Sequence, residues 1–92
     1  MGNFSGGSAP SMANQLMEGY IMLSPPMMKR LSPSELRELK MELVKLQREV
    51  RAQRVPLDDS LATRQKNHRL QKISSALMVL SNYIQKSSRS TR

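Results

Sequence analysis

Catalysis in a short chain needs a histidine, a pair of carboxylates or an activated nucleophile, and this sequence supplies little of each. His68 is the only histidine and there is no cysteine. His68 stands in the run TRQKNHRLQK, residues 63–72, with no carboxylate three or four residues away to orient it as a base. The seven acidic residues alternate with basic ones on what read as exposed helix faces. No thiolate or imidazole cluster is available for a metal, and no disulfide can form. The sequence therefore reads as a non-enzymatic protein with no catalytic residues, no cofactor and no metal site.

The chemistry that is plentiful is cationic. Fifteen Lys and Arg against seven Asp and Glu give a net charge of +8, which favours acidic partners. Lys45, Arg48, Arg51, Arg54, Arg64, Lys66, Arg69 and Lys72 are concentrated in one interval, opposed there only by Glu49, Asp58 and Asp59. Such a cluster can contact phosphates or an acidic protein face. No aromatic residue stands near it for base stacking, and no helix-turn-helix, zinc-finger or basic-zipper pattern is present.

Two helices must position these groups. Ser32-Pro33-Ser34-Glu35 is a helix start: Ser32 caps the first turn, Glu35 reaches back to it, and Pro33 sits where a missing N–H costs nothing. The helix is expected over about 33–54. Its apolar residues Leu36, Leu39, Leu43, Leu46 and Val50 recur at three, four, three, four, a heptad seam. Val55-Pro56 ends it, and Asp58, Asp59 or Ser60 caps a second helix over about 60–86. Leu70, Ile73, Leu77, Leu80 and Ile84 repeat the same seam spacing. A short connection makes the pair antiparallel and gathers the basic residues at its tip. With the turn centred near Leu57, Leu36 falls opposite Met78, Leu43 opposite Gln71 and Val50 opposite Arg64. The seams are then offset, and Leu80, Tyr83 and Ile84 overhang. Met27, Met28 and Leu31 are placed to cover that overhang.

The fold expected is all-α: an antiparallel helical hairpin over 32–86, with a flexible N-terminal arm and a disordered C-terminal tail. Residues 1–11 are Gly- and Ser-rich and residues 87–92 are polar and basic, the composition of disordered tails. Residues 12–31 form a Met-rich arm. Its Met12, Leu16, Met17, Tyr20, Ile21 and Leu23 lie at helical spacing with Ser11 as a cap, and Gly19 weakens the helix. The arm reads either as a motif for a partner's groove or as a strap over the hairpin, with Pro25-Pro26 interrupting any helix after Ser24.

A lone hairpin leaves much of each seam wet, and scaffolds this small need a staple, a metal or further helices. The seams are therefore expected to bind partner helices, from another protein or from a second copy in a homodimer. The leading expectation is an adaptor or scaffold subunit whose basic tip docks on an acidic surface. The alternative is a small nucleic-acid-associated protein whose tip contacts phosphates. No basic-then-apolar leader and no stretch of about 20 apolar residues is visible, which points to an intracellular protein, nuclear or cytosolic, with little call for a membrane. Met1-Gly2 begins a myristoylation pattern that Gly6 does not complete. Ser24-Pro25 and Ser32-Pro33 fit proline-directed phosphorylation, and Ser87, Ser88, Ser90 and Thr91 stand among basic residues.

Overall fold

A computed structural model describes the backbone of residues 7–90 and the side chains of residues 7–86. Helices account for 79% of the described residues, which include no strand. Among them there are four helices: α1 (Ala9–Glu18), α2 (Pro25–Lys29), α3 (Pro33–Ala52) and α4 (Ser60–Ser90). A two-helix hairpin is thus only part of the fold.

The start of α3 has the local chemistry its sequence dictates. Glu35 N–H donates to Ser32 Oγ at 3.2 Å and Ser32 N–H donates to Glu35 Oε1 at 2.8 Å, a closed capping box. The helix stops at Ala52, two residues before the expected end, because Gln53 turns to extended backbone (φ −65, ψ 129) ahead of Val55-Pro56. Among the three candidate caps Asp59 is used: Ala62 N–H donates to Asp59 Oδ1 at 3.0 Å. With no Gly or Pro to stop it, α4 runs on to Ser90, so residues 87–90 belong to a helix rather than a tail.

The early end of α3 resets the hairpin register. Gln47 Nε2 donates to Ser74 Oγ at 3.3 Å, and Lys66 Nζ donates to the Gln53 carbonyl at 2.8 Å. These contacts set Leu36 level with Ile84, Leu43 level with Leu77 and Val50 level with Leu70. The seams are not offset, as the sequence had suggested; they meet position for position.

The arm joins the core. Ser8, not Ser11, caps α1: Ser11 N–H donates to Ser8 Oγ at 3.3 Å, and Pro10 lies in the first turn. Residues 9–11 are therefore helical, and Ala9 is buried, so the N-terminal tail expected through residue 11 ends earlier. Gly19 does not weaken α1 but ends it. At φ +82 it lets Gly19 N–H reach the Leu16 carbonyl and Tyr20 N–H reach the Gln15 carbonyl, a Schellman cap. Pro25 and Pro26 open the single turn of α2 instead of breaking a helix.

Met12, Ala13 and Leu16 of α1 pack with Met28, Leu31, Leu36, Leu39, Leu43, Val50, Ile73, Ala76 and Leu80 in one core. Met12, Leu39, Leu43, Ile73 and Leu80 have essentially no exposed surface. Met27 packs on this core from α2. The seams are covered in part: the chain brings its own third helix to them, and Leu46, Leu70, Leu77 and Ile84 stay half-buried. Residues 1–6, with Phe4 and the myristoylation pattern, and Thr91 and Arg92 lie outside the described residues.

Candidate functional site

The cover stops short of the hairpin tip. No residue from 51 to 72 is buried, whereas α3 and α4 each hold fully buried leucine-type side chains beyond that interval. The cause lies in the sequence. Between Ala62 and Leu70 there is no apolar residue, so α1 has nothing there to bury itself against. The C-terminal end of α1 sits instead beside Arg69, whose Nε donates to Glu18 Oε1 at 3.1 Å. The tip is a bare prong, and the first thirteen residues of α4 alone extend it by about 20 Å.

The structure divides the eight basic residues of the tip into two sets. Three are engaged within the chain and a fourth, Lys72, is half-buried. Lys45 pairs with Glu42 at 3.7 Å, Lys66 takes the Gln53 carbonyl at the end of α3, Arg69 holds Glu18, and Lys72 lies in the depression beside the α1–α2 link. The other four, Arg48, Arg51, Arg54 and Arg64, are exposed and make no ion pair among the described residues. Arg51, Arg54 and Lys66 border an open depression of about 570 Å³ between the end of α3 and the first turns of α4.

Two residues of the tip escape the sequence reading. Leu57 is 105% exposed and Leu61 is 64% exposed, both at the apex. Their signal was present: Leu61 falls off the seam spacing, and Leu57 is an apolar residue in a polar turn. Exposed leucines at the apex, on the same end of the hairpin as the exposed Arg51, Arg54 and Arg64, combine a desolvatable anchor with charge, the pairing common at protein interfaces.

The other predicted site residues lie as follows. Among the seam residues, Leu36, Leu39, Leu43, Val50, Ile73 and Leu80 are buried in the core, while Leu46, Leu70, Leu77 and Ile84 are half-buried at its edge. Of the arm residues, Met12 and Leu16 are core, Met17, Ile21 and Leu23 pack against it, and Tyr20 is exposed. The arm thus packs on its own hairpin, with Tyr20 left facing outward. His68 is exposed in a shallow depression with Arg64, Gln65, Asn67 and Gln71, and no carboxylate lines it. No group of His, Cys, Asp and Glu among the described residues is arranged to hold a metal ion. No described helix is long and apolar enough to cross a membrane. Ser32, one of the two Ser-Pro serines, has its hydroxyl engaged in the α3 capping box.

Compared with protein-family models, curated proteins and solved structures, the chain matches none of them.

Proposed function

We propose that this protein is a non-enzymatic adaptor or scaffold subunit that docks on an acidic protein surface through the hairpin tip. One observation carries the reading: the tip has no buried residue, and it combines two exposed leucines with three arginines, Arg51, Arg54 and Arg64, that make no ion pair among the described residues. Leu57 and Leu61 enter a pocket of the partner, and Arg51, Arg54 and Arg64 face its acidic rim. The packed end holds the prong rigid, since the seams and α1 form its base. An intracellular setting, nuclear or cytosolic, goes with this reading.

The second reading is a nucleic-acid-associated protein using the same arginines on phosphates. The free arginines favour it, while the apex leucines, which a phosphate backbone would leave in water, favour the protein partner. Purification of the full chain from its native cells, with and without nuclease, separates them. The adaptor reading expects a protein that stays bound after nuclease and is lost when Leu57 and Leu61 become Asp. Release of all partners by nuclease, together with binding to duplex nucleic acid that weakens steeply with salt, would overturn it.

A further inference from the structure

A hairpin of two antiparallel helices has two grooves, and α1 fills one of them. That side is marked on α4 by Arg69, which meets Glu18, and by Lys72 and Ala76 beside Leu16 and the α1–α2 link. The opposite side is marked by the hydrogen bond between the half-buried Gln47 and the exposed Ser74. Helical periodicity locates the neighbours of these two residues. Val44 and Arg51 lie one turn on either side of Gln47, and Lys40 two turns before it. Leu70 and Met78 lie one turn on either side of Ser74, with Leu77 between. Val44, Leu70 and Leu77 are half-buried and Met78 is 66% exposed, so an apolar strip runs along this second groove.

Charge along the strip has one sign. On α3, Arg37, Lys40, Arg48 and Arg51 share the flank of Val44 and Gln47, and all four are exposed. Glu38, Glu42 and Glu49, spaced four and seven apart, lie on the far flank. From Ser60 to Ser90 α4 contains no Asp or Glu. The second groove therefore carries apolar groups, Val44, Leu70, Leu77 and Met78, around the Gln47–Ser74 pair and is cationic along its α3 wall.

We infer that this groove is the docking site for an amphipathic helix of a partner protein, apolar on its inner face and lined with Asp and Glu on its flank. A groove between two helices takes a third at ordinary interaxial spacing, as α1 does on the other side. Charge complementarity fixes the sign of the occupant. A symmetric pairing of two copies would set the arginine flank against either the same flank or an α4 with no Asp or Glu, on a chain of net charge +8. A nucleic acid would leave Val44, Leu77 and Met78 facing a phosphate backbone. The inference rests on the adaptor reading and adds a second docking element to the tip, so that one molecule bridges two surfaces.

The test replaces Met78 with a photoreactive benzophenone residue in the full chain, in its native cells, and identifies the crosslinked peptides. A second chain carries the same residue at Glu49 on the far flank. The expected product is one protein segment with apolar residues at helical spacing and a net negative charge, at a yield at least about ten-fold above that from position 49. Arg37→Glu, Lys40→Glu and Arg48→Glu together lower that yield by about ten-fold or more, and the matching Gln variant by less, with helix content unchanged by circular dichroism. Crosslinks to another copy of this chain, to nucleic acid or to a neutral or basic segment would overturn the inference. So would equal yield at position 49, no crosslink at all, or indifference to the charge reversal. In the Leu57→Asp, Leu61→Asp background the Met78 crosslink persists, so failure of the groove and failure of the tip are read separately.

Discussion

The two ends of the hairpin are built from the same pair of helices and differ in what lies on them. At the base, heptad-spaced leucines face one another and α1, and five large side chains lose essentially all contact with water. Toward the tip α3 ends at Ala52 while α4 continues, and no residue from 51 to 72 is buried. The difference is not one of helix propensity, since α4 is continuous through both. It comes from the sequence period: the second seam begins only at Leu70, and a helix without an apolar stripe offers a third helix no reason to pack. The base is thus where the chain folds itself, and the tip is where its polar and charged groups stay free for something else.

The sharpest way to break this contrast is to make one chemical change in both places. Leu43→Ala or Met12→Ala at the base costs about 2–5 kcal/mol of unfolding free energy in a denaturant titration. Leu61→Ala at the tip stays within about 0.5 kcal/mol. Equal costs would mean that the tip is covered after all. A chain without α1 as part of its core would show little effect from Met12→Ala.

Partner binding inverts the ranking. Leu57→Asp with Leu61→Asp weakens association with the co-purifying protein by about 2 kcal/mol or more, roughly thirty-fold, while the melting temperature barely moves. A binding loss accompanied by unfolding would place these leucines in the fold rather than the interface.

Smaller effects sharpen where the boundary lies. Gly19→Ala forces a side chain into left-handed backbone and costs about 1–2 kcal/mol by thermal melting, although a Cβ there would find only ordinary contact with Lys72. Asp59→Ala removes the α4 cap and costs about 1 kcal/mol, felt as fraying at the tip in amide exchange. Smallest is Arg69→Ala, which removes a half-exposed pair with Glu18 worth about 0.2–1 kcal/mol, and its effect shrinks in high salt.

What the sequence determined by itself was local. Ser32 and Glu35 stand three residues apart, and the capping box follows from that spacing alone. The seams, the break before Pro56, the cap among Asp58 to Ser60 and the basic tip are likewise set by residues within a few turns of one another. Gly19 and Ser8 were legible too, but Ser11 offered a competing cap and glycine is ambiguous between weakening a helix and closing it. Only the tertiary structure decided three things. It fixed the register that sets Leu43 level with Leu77, because unwinding at Gln53 shifts where the turn is centred. It brought α1 onto the seams, contacts between segments some thirty to sixty residues apart that no local pattern encodes. And it sorted the basic residues into those that hold the fold, such as Arg69 on Glu18, and those left free, such as Arg54 and Arg64. Each depends on which distant group arrives alongside, and short-range spacing carries no record of that.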